Sequence, residues 1–263
     1  MNLRRFLARH GVPGVTPILV YQMAKVGSSS IAEALEERKL AVFHLHRMNR
    51  EHLERMRAKR AELGWHLAPL PAHDVLGPIL RERLVDRGRS VKVITLVRDP
   101  IARNFSSYFE HLDRIWHRQN AHESVPMEEL HRGFVERFPH EEALTWFDDE
   151  LRPVFGVDVY EHPFPASGHL RIGDVLVLKS ELDDATKCAA VSEFLGLRNL
   201  VFRPANVTAS KAKGEVYKRF VSTLRLDPAY VERMLESRYT RHFYTEAERE
   251  AMRRKYLRSA GLR

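Results

Sequence analysis

Two short segments of this chain carry residue types that bind oxyanions, and a third carries candidate bases. The first is Lys25-Val-Gly-Ser-Ser-Ser30, which follows an apolar run and precedes a helical pattern. A Gly/Ser-rich turn between a buried strand and a helix offers free N–H groups and a positive helix end to phosphate or sulfate. Gly27 lets the backbone approach an anion, Ser28, Ser29 and Ser30 add hydroxyl donors, and Lys25 adds a mobile positive charge. The same serines could instead serve as a plain helix N-cap. The spacing is not the nucleotide-triphosphatase pattern GxxxxGK[ST], because the lysine precedes the glycine. The second segment is Arg98-Asp99-Pro100 with Ser106 further along. An arginine at a strand's C-terminal edge and a serine on the following helix can grip one phosphate from two sides, and an Arg98–Asp99 ion pair is the structural alternative. Together the two corners suit a ligand with two separated anionic ends. The third segment is His44-x-His46, whose side chains share one face of a strand. Histidine is a natural general base near neutral pH. The pair could also be half of a metal site, with Asp74 or His73 as a third ligand that only the structure can place, but no metal is expected.

The elements that must position these residues alternate. Pro17–Tyr21 reads as a strand, 31–39 as a helix, Leu40–His44 as a strand, and a charged helix follows to about Leu63. Residues 64–78, with three prolines, read as loop, and a helix resumes over Ile79–Arg87. Val91–Val97 is the clearest buried strand, followed by a helix over Ile101–His117. Further helices are expected near 126–137 and 141–150, with strands at Val157–Tyr160 and Asp174–Leu178. Asp184–Leu195 is a helix closed by Gly196. Asp227-Pro228 reads as N-cap and N1, and Thr245 with Glu248 as a capping box. Alternating strands and helices predict an α/β fold with a parallel sheet covered by helices. One domain spans 1–263, with a core over about 15–200 and a helical extension over about 205–263. Ligands of open parallel sheets gather at the carboxyl ends of the strands, where both anion corners lie.

Composition bounds the rest. The 263 residues are 44% hydrophobic and 30% charged, enough apolar material for a core. Lys and Arg number 43 against 35 Asp and Glu, a formal charge of +8 that favours an anionic partner without naming it. The single Cys188 excludes an internal disulfide and reads as a small buried apolar residue. No apolar run approaches the roughly 18–20 residues that span a bilayer, and the N-terminus lacks a secretory signal. A cytoplasmic location follows, with Arg4, Arg5, Phe6 and Leu7 as a candidate peripheral contact to anionic lipid. No nucleic-acid motif is present. Asn104-Phe-Ser106 and Asn206-Val-Thr208 are formal glycosylation sequons without a signal peptide to make them meaningful.

KVGSSSI after one strand and VRDPIARNFSSYF after another resemble the sulfotransferases that use 3′-phosphoadenosine 5′-phosphosulfate (PAPS). The nearest flavour is a bacterial group of capsular polysaccharide synthesis proteins, kin to carbohydrate sulfotransferases. Supporting similarity lies in WFDDELRPVFGVDVYEHPF (146–164), VLVLKSELDDA (175–185) and SEFLGL (192–197), with a vaguer match in ANVTASKAKGEVYKRF (205–220). The resemblance implies a P-loop NTPase-like three-layer fold and sulfuryl transfer to an acceptor hydroxyl, on a carbohydrate or polysaccharide. It implies that Lys25, Val26, Gly27, Ser28, Ser29 and Ser30 hold the 5′-phosphosulfate, with Lys25 also catalytic. Arg98 and Ser106 would hold the 3′-phosphate, with Arg103 and Ser107 as neighbours and Tyr108 as packing. The glutamate that serves some relatives as base is absent near the second strand; His46 is favoured in its place, then His44, then His66 or His73. Residues 110–145 and the C-terminal helices, matching the family least, would cap the acceptor. A P-loop-type kinase and a non-catalytic polyanion binder are the rival readings; oligomeric state and acceptor identity stay open.

Overall fold

Ile18-Leu-Val-Tyr21 is buried at every position, as a strand flanked by two others in a helix-covered sheet must be. It forms β1 of a computed structural model that describes residues 16–202 and 211–258. In chain order follow α1 (Ser29–Glu37), β2 (Val42–Leu45), α2 (Arg50–Glu62), α3 (Ala72–Leu80, widening into a π-turn over Arg81–Val85) and β3 (Lys92–Val97). Then come α4 (Pro100–Glu110), α5 (Leu112–Ile115), α6 (Ala121–Ser124), α7 (Met127–Arg137), α8 (Glu142–Trp146) and, after a π-turn over Phe147–Leu151, α9 (Arg152–Phe155). A 3₁₀ turn (Val159–Glu161), β4 (His169–Ile172), β5 (Val175–Lys179) and α10 (Asp184–Leu195) complete the sheet region. The chain ends in α11 (Lys211–Thr223), α12 (Pro228–Leu235), α13 (Arg238–Phe243) and α14 (Glu246–Arg258).

The five strands lie in the order β2-β1-β3-β5-β4, parallel except for β4, which pairs antiparallel with β5. The fold is thus α/β with a mostly parallel central sheet flanked by helices. The chain leaves β1 toward β2 on one side and then crosses back to β3 on the other, so the order reverses between β1 and β3. That reversal opens a crevice at the carboxyl ends of the two strands.

Several expectations need correction. Val157–Tyr160 is not a strand: the Asp158 carboxylate accepts from Tyr160 N at 3.0 Å and caps a 3₁₀ turn. The edge position belongs instead to β4, joined to β5 by a tight turn at Gly173 and Asp174, with Gly173 at φ +56°. The helix expected from Ile79 begins at Ala72 and tolerates Pro78. Gly77 explains part of this: a Cβ there would lie 1.8 Å from the Arg47 carbonyl oxygen, so α3 packs onto the β2 loop only through glycine. The long helix over Ile101–His117 breaks at His111, and His117 has φ +55°. Cys188 is half-buried at the core's edge rather than interior.

Two apolar cores result. One packs both sheet faces and includes Tyr239, Phe243 and Tyr244 of the C-terminal helices. The other is an aromatic cluster in which Phe105 and Tyr108 of α4 meet Phe134 of α7, Phe220 of α11 and Tyr256 of α14. The C-terminal helices therefore clamp α4, the helix that leaves the Arg98 corner. The capping features hold: Asp227 accepts from Ala229 N at 2.8 Å, and Thr245 and Glu248 bond reciprocally. No helix among the described residues is long and apolar enough to cross a membrane. Arg4 to Leu7, the second sequon and most of the family-like segment before α11 lie outside the described residues.

Candidate functional site

The crevice at the β1/β3 reversal is a cleft of about 880 Å³. Lys25, Gly27, Ser28, Ser29, Ser30, His44, His46, Arg98 and Ser106 all line it. Residues up to 81 apart in sequence are thus gathered at one end of one sheet. Val26 differs: its side chain is fully buried in the core, so only its backbone belongs to the loop.

The loop after β1 has a strained and pinned backbone. Lys25 has φ +71° and Gly27 φ +80°, the left-handed region that costs a lysine energy and a glycine none. Left-handed residues set close together aim successive N–H groups into one concavity, a nest for anions. Two arginines hold the loop's carbonyls: Arg98 Nη1 donates to Lys25 O at 2.6 Å, and Arg103 Nε donates to Ala24 O at 3.1 Å. Ser28 holds the N-cap position of α1 but makes no capping bond. Its hydroxyl instead receives the Gln22 amide at 2.7 Å and lies 2.9 Å from His44 Nε2.

Arg98 is held by its backbone. Tyr239 Oη receives Arg98 N–H and donates to Arg98 O, both at 2.9 Å. The alternative of an Arg98–Asp99 pair does not occur. Asp99 caps α4 by accepting from Ile101 N and Ala102 N, and takes the Tyr256 hydroxyl on its other oxygen. No described carboxylate pairs with Arg98, whose guanidinium faces the cleft. Tyr239→Phe would leave both Arg98 backbone groups without their partner. A loss of about 1–3 kcal/mol in stability is expected by urea titration, and a value near zero would show that the clasp is incidental.

Lys25 Nζ reaches Glu110 Oε2 at 3.3 Å across the mouth of the cleft. Partial burial pushes the Glu110 carboxyl up, but the Lys25 ammonium and its hydrogen bond outweigh this and hold it below its ordinary value. The pair is about half exposed, so its net worth is small.

His44, His46 and His73 stack edge to face, with ring centroids 5.3 and 4.8 Å apart. Burial, with His73 nearby, lowers His44 to about 4. Burial, then His44, His73 and Arg47, lowers His46 to about 3. Both are neutral at pH 7. His46 Nδ1 lies 3.1 Å from Gln22 O, and because a carbonyl can only accept, the proton resides on Nδ1 and Nε2 keeps its lone pair. His66 is exposed and does not line this cleft. Among the described residues no group of three or more His, Cys, Asp or Glu is arranged to hold a metal ion.

Sequence reasoning missed a buried ionic hub behind the cleft. Glu142, 4% exposed, pairs with Arg47 through one oxygen and, through the other, with Arg103 at 3.1 Å and Arg60 at 3.8 Å. Arg47 also meets Asp74 at 3.4 Å. A second carboxylate, Glu150, is fully buried and accepts from Met48 N, Asn49 N and the Tyr21 hydroxyl, fixing the turn after β2. Neither glutamate carries a local sequence signal; both fall in the helix expected near 141–150. Arg103, raised as a neighbour of the anion site, is fully buried and acts on the loop backbone and Glu142. Tyr108 packs in the aromatic core and donates to Leu130 O. Asn104 is fully buried, which removes its sequon from the surface.

Fold and site together define an open α/β protein with a basic crevice at the strand-order reversal. A family model described as "Putative capsular polysaccharide synthesis protein" (NKWYS) matches residues 126–245. No curated protein and no solved structure matches the chain. The matched stretch takes in Glu142, Glu150 and Tyr239, the residues that brace the cleft from behind. It also takes in α7, α12 and α13, in regions expected to resemble the family least, and it stops short of the two anion corners.

Proposed function

We propose that this protein transfers a sulfuryl group from PAPS to a hydroxyl of a carbohydrate acceptor. The observation that carries the reading is the coupling of two anion-receptive corners across the β1/β3 reversal, with Arg98 Nη1 on Lys25 O at 2.6 Å. The donor set fits such a ligand. Lys25 and Gly27 form a concavity of N–H groups, Arg98 lacks a described carboxylate partner, and Ser106 lines the cleft one helix away. The match to a capsular polysaccharide synthesis family supports a polysaccharide-related acceptor.

PAPS would supply an activated sulfuryl group. Lys25, with the N–H groups of Gly27 to Ser30 and the N-terminus of α1, would hold the 5′ end, and Lys25 Nζ would offset the charge that develops on the departing phosphate. Arg98 and Ser106 would hold the 3′-phosphate, the arginine in a fork that lysine does not reproduce. His46 Nε2 would take the acceptor's hydroxyl proton, since its lone pair is already fixed by the bond on Nδ1. His44 is less suited, because its Nε2 is engaged by Ser28.

Calorimetry with 3′-phosphoadenosine 5′-phosphate, beside magnesium ATP, tests the reading. Wild type should bind the bisphosphate in the micromolar range and ATP weakly. Arg98→Ala should lose about 30- to 100-fold, the worth of a charge-assisted bidentate contact. Preference for ATP would replace this reading with the kinase-like one. Glu110→Gln should bind the bisphosphate a few-fold more tightly by releasing Lys25, and weaker binding would mean that Glu110 orients the lysine instead.

A further inference from the structure

The far wall of the cleft holds more positive charge than the protein itself neutralises. Arg47, Arg60 and Arg103 share two carboxylates there, Glu142 and Asp74. Arg60 is the least satisfied of the buried members. Its side chain is 13% exposed, its one carboxylate contact is the 3.8 Å approach to Glu142, and its buried Nε has no hydrogen-bond partner. It rests on the Trp65 ring at 5.1 Å, which holds the guanidinium in place without cancelling its charge. Burial, then the like charges of Arg47 and Arg103 against the pull of Glu142, draws Arg60 down to about 10. Arg47 Nε is also buried and unpartnered. Arg114 stands beside them in the cleft with no described carboxylate partner. Buried arginines are costly unless an anion completes their coordination.

We infer that Arg60 and Arg114, backed by Arg47, form a second oxyanion subsite that receives a carboxylate or sulfate carried by the acceptor sugar. This rests on the proposed function in assigning the other end of the cleft to the donor. Arg98 precedes α4 and Arg114 follows it, so the 3′-phosphate corner and the Arg114 wall lie at opposite ends of 11 residues that span about 16 Å, while Lys25 reaches Glu110 at the far end of the helix. An acceptor anchored by a charged substituent would lie along the cleft, where burial pushes the His73 imidazole below its ordinary value and lowers His111 to about 3. A singly charged oxyanion matches the planar fork of an arginine pair.

The test is calorimetry at low ionic strength with methyl glucuronoside, its uncharged methyl ester, and methyl glucoside 6-sulfate, each on the full-length protein. Either anion should bind at least tenfold more tightly than the ester, and the tighter of the two identifies the substituent. Arg114→Gln, at a half-buried position that should not disturb folding, and Arg60→Gln should each erase most of that preference. Both should keep affinity for 3′-phosphoadenosine 5′-phosphate within threefold, whereas Arg98→Ala should show the reverse pattern. Equal binding of ester and anions overturns the subsite, as does loss of bisphosphate affinity in Arg114→Gln, which would place that arginine at the donor end. Failure of the wild type to bind the bisphosphate, with the sugar preference intact, would count against the sulfotransferase reading and leave the subsite standing.

Discussion

His46→Ala should lower turnover, read as release of 3′-phosphoadenosine 5′-phosphate from PAPS, by about 10²- to 10⁴-fold, the usual contribution of a positioned general base. Bisphosphate affinity should stay within about threefold, because the proposed role gives the histidine to the acceptor and not to the phosphates. The pH profile separates this role from a structural one. Burial, with His44, His73 and Arg47, holds His46 near 3 in the free protein, so it is a neutral base across the working range. An acidic limb in kcat/KM assigned to this group should therefore fall below about pH 4, not at the ordinary histidine value of 6.5. Bound anions favour the imidazolium, so the limb in kcat should lie higher than that in kcat/KM. Full activity in His46→Ala would move the base to His44 or His73, and a limb near 6.5 in kcat/KM would exclude both His46 and His44.

Glu142→Gln should destabilise the fold by about 3–5 kcal/mol, because three arginines lose the one carboxylate they share and the cost of their burial is no longer offset. Arg103 anchors the loop through Ala24 O, so the anion corner should loosen as well. The pH dependence gives an independent reading. Burial would raise the Glu142 carboxyl, but Arg103, Arg47 and Arg60 overcome it and hold the group well below 4.5. A depressed carboxyl stabilises the fold fully above its unfolded value and loses that contribution as pH falls through its folded one. The stability gap between wild type and Glu142→Gln should thus be constant above about pH 5.5 and shrink below about 4.5. Urea titrations at several pH values decide the matter; a gap that ignores pH would mean that packing and not charge accounts for the loss.

Much of the frame was legible from residue pattern alone. The strands β1, β2, β3 and β5 announce themselves as apolar runs followed at once by Gly, Arg-Asp-Pro or polar turns. Local side chains then settle the helix starts, as with Asp99, Asp183 and Asp227, whose carboxylates reach only two or three residues ahead. Signals of that range survive in a linear sequence. The two anion corners were legible for the same reason, since each is a contiguous strand, turn and helix start. Val157–Tyr160 was misread because four residues fit either a short strand or a turn, and only the Asp158 cap decides between them. β4 escaped because His169–Ile172 is a partly exposed edge strand without an apolar run.

What the sequence by itself determined, then, is the alternation of elements, the carboxyl-end location of the two strand–turn–helix loops and the identity of the residues in them. Only the tertiary structure decided how those residues are held. It places Arg98 on the Lys25 carbonyl, Tyr239 on the Arg98 backbone, and Glu142 among Arg47, Arg60 and Arg103, across 73, 141 and up to 95 residues of chain. The physical reason is range. Hydrogen-bonded caps and periodic apolar faces act over a few residues, whereas a buried ion pair depends on which distant elements the sheet order brings together and on how fully water is excluded between them. Arg60 is the clearest case. In sequence it is one more arginine on a charged helix, and it becomes an under-neutralised cation only when the fold closes Trp65 and Glu142 around it.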